Sequence, residues 1–362
     1  MKAIPVSLKH NSYRILIGQN ILKSFGKSLK TFSLGGDAVI ISNPAIVRLH
    51  GRALADGLKK SGFSVKVLTV PDGEKSKSAP VAFQLMERIA RHDVLKKVFI
   101  VALGGGVIGD LAGFVAAVYK RGVSYIQVPT TFLAQIDSAI GGKTAVDLPV
   151  GKNLVGAFYQ PRLVLSDINV LSTLNPRQIR NGLAEAVKYG IIEDKKLFEY
   201  IETHVKELAA GNPRVILHVV IRCSEIKTKI VAADEKETKG LRTVLNFGHT
   251  LGHAIEAAGG FSRYPHGEAV ALGMRTAAYI SQALGLLSSR DLGRIQALLT
   301  KIGLPRKIKR LRPVQILEMM KHDKKFKEGK NQFVLAERIG KVKVVEEIPF
   351  KEILKAVEEF QA

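Results

Sequence analysis

The sequence predicts an α/β domain built on a parallel sheet, followed by a mostly α-helical domain. In the first third, short apolar runs alternate with stretches of helical apolar spacing, the pattern of strands joined by crossover helices. After residue 167 strand-like runs nearly cease, and from Asn175 onward apolar residues recur at helical intervals. A chain of 362 residues also exceeds the size at which single cores stop growing, about 250 residues, so two domains are expected.

The alternating apolar and polar residues of MKAIPVSLKHNSYRILIG predict strands at the start of the chain. Then come a strand AVIIS at 38–42, a helix near 45–61, a strand VKVLTV at 65–70, a helix near 78–92 and a strand VFIVAL at 98–103. Strands continue with YIQVP at 125–129 and LVLSD at 163–167. In the second half, NGLAEAVKYGII, RVILHVVIRCSEIKTKIVAA and GEAVALGMRTAAYISQALGLL read as helices. The expected division is 1–174 and 175–362, with a short junction and no low-complexity linker. Ligands are expected between two such domains.

Composition narrows the function classes. With 46% hydrophobic and 24% charged residues the chain is of the folded globular class. Its one cysteine, Cys223, rules out an intramolecular disulfide and a cysteine-rich zinc module, which fits a reducing compartment. No apolar run of signal-peptide type occurs near Met1, so a cytoplasmic location is expected. Residues 98–119 carry a single charge, Asp110, yet five glycines there suit a buried strand, a tight loop and a buried helix better than a membrane span. The net charge of +23 could serve nucleic acid, an acidic membrane surface or acidic substrates. Between Lys301 and Lys343, fourteen Lys or Arg face four Asp or Glu, but little aromatic interleaving accompanies them, so neither a nucleic-acid partner nor a membrane is expected.

Three groups of residues can carry chemistry. The first is GGGVIGD at 104–110, where Gly104, Gly106 and Gly109 have the G-x-G-x-x-G spacing between a strand and a helix. Glycine lets the backbone approach a pyrophosphate and the helix N-terminus attracts its charge. The motif follows the third strand of the alternating unit and lacks an acidic residue some 20 positions on, so it marks a non-standard nucleotide site or an ordinary tight turn. Glu74 and Lys77, in PDGEKSK, would stand at the carboxyl edge of the same sheet. The second group is His249, His253 and His266, three histidines within 18 positions, with Glu185 on another apolar helix. These are four candidate ligands, of which a catalytic zinc would need three. The third is an anion cradle of Arg121, Lys143, Lys152, Asn153, Lys188, Lys227, Arg242 and Asn246 around the carboxylate of Asp137. Such an excess of cations implies a substrate with several negative charges.

GGGVIGDLAGFVAAVYKRG, VPTTFLAQIDSAIGGKTAVD, GKNLVGAFYQP, GLAEAVKYG, LNFGHTLGHAIE and HGEAVALGM together resemble the 3-dehydroquinate synthase family in order and spacing, across about residues 70–335. The resemblance implies a Rossmann-like nucleotide-binding domain joined to an α-helical metal and substrate domain. It implies zinc, or cobalt, on Glu185, His249 and His266, with His253 as an acid-base or phosphate-side group. NAD would lie across Glu74, Lys77, Gly105, Gly106, Val107, Asp110, Thr130, Thr131, Lys143, Lys152 and Thr173. The sugar-phosphate substrate would meet Arg121, Asp137, Asn153, Lys188, Lys227, Arg242, Asn246 and a lysine of the HDKK run, assigned here to Lys324. Glu237 matches a carboxylate given a proton-acceptor role, and a homodimer is expected. Two departures stand out: DEKETKGLR carries one residue more than the commoner spacing, which leaves Lys227 and Glu237 open, and Val170 replaces a frequent aromatic residue. Rival readings are a related sugar-phosphate cyclase, a metal-dependent polyol dehydrogenase, which would release NADH, and a nucleic-acid-binding protein.

Overall fold

A computed structural model describes residues 1–29, 31–32, 34–93, 97–321 and 331–362. Lys324 and the HDKK run lie outside the described residues. The chain forms two compact units, Met1–Asn175 with Ile216–Lys236, and Pro176–Val215 with Glu237–Ala362. The helix Pro213–Ala233, which the sequence division put in the second domain, belongs from Ile216 onward to the first unit.

The first unit is organised by a seven-stranded sheet in the order β1-β2-β9-β6-β5-β3-β4. Its strands are β1 (Lys2–Val6), β2 (Tyr13–Gly18), β3 (Asp37–Ser42), β4 (Ser64–Thr69), β5 (Val98–Gly104), β6 (Tyr125–Pro129) and β9 (Leu163–Asp167). Only the β1–β2 pair is antiparallel; every other pairing is parallel. In β3, β5, β6 and β9 every residue is buried, as expected where helices cover both faces of a sheet. Ile41, Ala102 and Leu68 of the sheet pack with Leu85 and Ile89 of the helix Ala79–Ala90 and Leu111 and Val115 of the helix Gly106–Val118. Each such side chain contributes about 1.5–3 kcal/mol by leaving water.

The strands end level, with Ser42 opposite Thr69 and Gly104 opposite Pro129. From β3 the chain moves to β4 on one side and to β5 on the other, so the order reverses at β3 and opens a crevice at the carboxyl ends. A separate hairpin, β7 (Lys143–Leu148) with β8 (Gly151–Phe158), was not foreseen. Its glycines, Lys152 and Asn153 hide the alternation that marks strands, and β8 buries none of its residues.

The second unit is mostly helical. Leu183 to Ile192 of the helix Pro176–Ile192 are all buried, so this stretch shows no polar face and Glu185 and Lys188 sit within the core. The helices His249–Ala258 and His266–Ala283 approach closely because glycines line the crossing. A Cβ on Gly273 would overlap the carbonyl oxygen of Gly248, and one on Gly252 would lie 3.1 Å from the Cα of Val270. Gly248 itself has φ 77°, a left-handed conformation that breaks the chain immediately before His249. The sequence predicted no sheet here, yet β10 (Gln332–Arg338) and β11 (Lys341–Glu346) form an antiparallel hairpin. No helix among the described residues is long and apolar enough to cross a membrane.

Gly273→Ala should therefore force the two helices apart and cost about 1–3 kcal/mol, seen as a Tm lowered by several degrees. An unchanged Tm would show that the crossing is not close.

Candidate active site

In the first unit, the candidate cofactor residues other than Lys143 and Lys152, which lie on the β7–β8 hairpin, fall after parallel strands. Glu74 and Lys77 follow β4, Gly105, Gly106, Val107 and Asp110 follow β5, Thr130 and Thr131 follow β6, and Thr173 follows β9. The helix Gly106–Val118 begins without a side-chain cap, so its first N–H groups are open to a ligand. A Cβ on Gly105 would press on Thr131 at 3.0 Å, and one on Gly106 on the Ser138 hydroxyl at 3.1 Å. The buried hydroxyls of Thr130 and Ser138 make no hydrogen bond, while the Thr130 N–H donates to the Gly104 carbonyl at 2.9 Å. An open helix N-terminus, bare backbone and unsatisfied hydroxyls on one sheet edge fit a phosphate-bearing group such as a dinucleotide.

Beside them lies a web of charges. The Lys77 ammonium, almost wholly buried, pairs with Asp110 at 2.6 Å and donates to the Asn153 side-chain carbonyl. Asp147 ties the web down: its N–H donates to the Lys77 carbonyl at 2.8 Å, and its carboxylate accepts from the Asn153 N–H at 2.8 Å. Asn153 is thus held at φ 57°. Burial raises the Asp110 carboxyl above its usual range, against the opposing pull of Lys77. Lys152 pairs with Glu74 at 3.4 Å. Lys227 donates to both the carboxylate and the backbone carbonyl of Asp137, each at 2.6 Å. The added residue in DEKETKGLR falls after the helix that carries Lys227, so it leaves the pairing with Asp137 undisturbed. Thr173 meets His50 at 3.2 Å, and Lys143 is exposed at the start of β7.

Arg121 is also exposed, in an unusual turn. Lys120 has φ 49°, Arg121 φ 62° and Gly122 φ 123°. Left-handed backbone costs L residues about 1–2 kcal/mol each, so the turn needs support from outside itself.

The second unit holds the cation cluster. Oε1 of Glu185 lies 3.4 Å from Nε2 of His249 and 3.6 Å from Nε2 of His266. One ligand atom from each of the three lies within 4.8 Å of the others. His249 donates from Nδ1 to the Phe247 carbonyl at 3.2 Å, and His266 from Nδ1 to Glu256 at 3.1 Å. With Nδ1 so engaged, both rings turn Nε2 toward Glu185, the orientation a metal-ligating imidazole takes. Burial alone would raise the Glu185 carboxyl, but Lys188 and His266 pull it down to about 2. Burial alone would lower His266, but bonds to Glu185 and Glu256 push it up to about 10. Two carboxylates facing one imidazole hold a proton where a divalent ion would serve, so the residues fit a metal. The ring of His253 stands 5.3 Å from that of His249 and 6.1 Å from that of His266, with its side chain exposed. Glu256 was missed in the sequence, although it follows His249 by seven positions and His253 by three on one helical face.

Lys188 forms a buried ion pair with Glu185 one helical turn away. Buried Arg242 meets Glu237 at 3.2 Å. Asn246 lines a small crevice with Gly248, Thr250 and Gly273.

One chain thus carries a doubly wound parallel sheet and, on helices, a carboxylate–histidine cluster that could hold a cation. The chain matches a solved 2-deoxy-scyllo-inosose synthase complexed with carbaglucose-6-phosphate, NAD+ and Co2+ with a TM-score of 0.89 and 29% identity, covering 99% of this chain and 100% of that one. It also matches ValA, a 2-epi-5-epi-valiolone synthase from Streptomyces hygroscopicus with NAD+ and Zn2+ bound, with a TM-score of 0.88 and 26% identity over 98% of each chain. The family models for the 3-dehydroquinate synthase N-terminal and C-terminal regions match residues 67–181 and 182–326. The 3-dehydroquinate synthase of Pelotomaculum thermopropionicum is 46% identical over 95% of this chain and 93% of its own. That of Thermoanaerobacter pseudethanolicus is 44% identical over 99% and 100%. The chain belongs to the 3-dehydroquinate synthase family.

Two outcomes follow from the cluster. Glu256→Gln should weaken zinc binding about 10–100-fold, because His266 loses the carboxylate that orients it; unchanged affinity in a competition titration would contradict this. In the metal-free protein, His266 is raised from 6.5 to about 10, so its contribution to stability is full below pH 6.5 and is lost as pH rises through about 10. Zinc loading at pH 8 should accordingly release about one proton per ion, measured by titration in lightly buffered solution. Loading without proton release would overturn the assignment of His266.

Proposed function

We propose that this chain catalyses the reaction for which its family is named, closing 3-deoxy-D-arabino-heptulosonate 7-phosphate into 3-dehydroquinate with loss of phosphate. The observation that carries the proposal is the Glu185–His249–His266 cluster, set in a chain that the family matches through both of its halves. Glu74, Lys77, Gly105, Gly106, Val107, Asp110, Thr130, Thr131, Lys143, Lys152 and Thr173 would hold NAD, which when bound supplies reversible hydride transfer at a ring carbon bearing a hydroxyl, so that no net oxidation results. Zinc or cobalt on Glu185, His249 and His266 would supply Lewis-acid polarisation of that hydroxyl.

The chain's own residues do the rest. Lys188 is a buried ammonium whose carboxylate partner also faces two imidazoles, so an anionic substrate suits it well. Arg242 is buried and charged, and with Asn246 it is assigned to the substrate carboxylate. Arg121, Lys152 and Asn153 add donors for phosphate, and Lys324 is assigned to the substrate as well. Lys227 fixes Asp137 in place. His253, exposed beside the cluster, is positioned to move a proton as phosphate leaves, and Glu237 is assigned as a proton acceptor. The enzyme would thus be a carbon–oxygen lyase.

A homodimer in the cytoplasm completes the proposal. Exposed Leu148, Val150, Leu154, Val155 and Phe158 on and between β7 and β8 give a second copy an apolar surface to cover. The lone thiol of Cys223 suits a reducing compartment.

With NAD and zinc supplied, phosphate and dehydroquinate should appear in equal amounts while NADH absorbance stays flat. Steady NADH from a polyol would overturn the proposal in favour of a dehydrogenase, and phosphate only from other sugar phosphates in favour of a different cyclase. Arg242→Ala should raise KM about 10–100-fold with zinc content unchanged, the cost of one charged hydrogen-bonding partner.

A further inference from the structure

The turn that carries Arg121 is anchored by a residue outside every motif considered so far. Asp93 follows the helix Ala79–Ala90, and its N–H donates to the Ile89 carbonyl at 2.9 Å. Its side chain is 1% exposed, and one carboxylate oxygen receives two donors from the turn. The Tyr119 hydroxyl donates to Oδ2 at 3.1 Å, and the Lys120 ammonium meets the same oxygen at 2.6 Å. The far side of the turn is fastened by Tyr159, whose hydroxyl donates to the Val123 carbonyl at 2.9 Å, and by the Val123 N–H on the Ala116 carbonyl at 2.8 Å. Between these fastenings Lys120, Arg121 and Gly122 take three consecutive left-handed conformations, two of them by residues that seldom adopt them. Nothing in Lys120 or Arg121 favours that backbone, and a buried carboxylate on the Lys120 ammonium does.

We propose that Asp93 is a positioning residue: its carboxylate, through Tyr119 and Lys120, holds the left-handed turn that sets where the Arg121 guanidinium stands. The inference rests on the reading of Arg121 as a substrate-binding residue. Asp93 touches no substrate itself. It lowers the conformational freedom Arg121 must give up when an anion binds, so its loss acts on binding and leaves the chemical step alone.

The test is steady-state kinetics on the enzyme loaded with NAD and zinc, for Asp93→Asn, Lys120→Met, Arg121→Ala and the Asp93→Asn/Arg121→Ala double variant. Asp93→Asn and Lys120→Met should each raise KM for the sugar phosphate about tenfold with kcat within about twofold, and Asp93→Asn should add nothing once Arg121 is gone. If Arg121→Ala raises KM while neither Asp93→Asn nor Lys120→Met does, the positioning role is overturned and the reading of Arg121 stands. A full additional effect of Asp93→Asn in the Arg121→Ala background also overturns it, because Asp93 would then act elsewhere. If Arg121→Ala leaves KM unchanged, both fall. Lys120→Met, at a side chain 54% exposed, breaks the same ion pair from the solvent side and decides the matter should Asp93→Asn fail to fold.

Discussion

A fully buried carboxylate, Glu185, is the constraint around which the helical unit is arranged. A bare charge in an apolar core is costly, and Glu185 is made tolerable by three facing side-chain nitrogens. Lys188 supplies one from the same helix. His249 and His266 supply the others from the first residues of two further helices. Those rings can reach it only because the helices cross at glycines, and because a left-handed Gly248 ends the preceding turn just before His249. The packing, the backbone conformation and the electrostatics thus share one cause. The cluster also lies at the N-termini of two helices, which favour negative charge there.

The α/β unit solves a different problem in a similar way. Parallel strands that end level present their loops along one edge, and the reversal of order at β3 opens a crevice there. Lys77 is buried at this edge and paired with the half-buried Asp110, and Asn153 and Asp147 add further hydrogen bonds. Candidate cofactor residues and candidate substrate residues are therefore joined, since Lys77 belongs to the first set and Asn153 to the second. A ligand that displaced one of these contacts would be felt by the other.

Much of the fold was legible in the sequence because its strongest signals are long apolar runs. AVIIS, VFIVAL, YIQVP and LVLSD are strands within a residue or so of the predicted bounds, and their complete burial explains why they lack alternation. The two hairpins were not legible. In β7–β8, exposed residues and glycines blur the period, and β10–β11 lies in a basic stretch that reads as a solvated face. In the site, histidine spacing pointed to a metal without saying which three of four residues hold it. In the structure Glu185, His249 and His266 form one group that could hold a metal and His253, Glu256 and His266 form another; in the first, His249 and His266 each have a second-nitrogen partner. Glu256, Ser138 and Asp147 escaped notice because their roles depend on contacts between segments far apart in sequence or on a backbone shape that no residue type announces. Asp93 is the clearest such case, lying 28 positions before the arginine it serves.

We propose that Glu185, His249 and His266, and not His253, hold a divalent ion. X-ray absorption at the zinc edge, on protein carrying one zinc per chain, tests it most directly. Nitrogen and oxygen scatterers are expected at about 2.0–2.2 Å with the signature of two imidazoles, one of which vanishes in His266→Ala and neither of which vanishes in His253→Ala. Loss of an imidazole in His253→Ala, or an unchanged spectrum in His266→Ala, would contradict it.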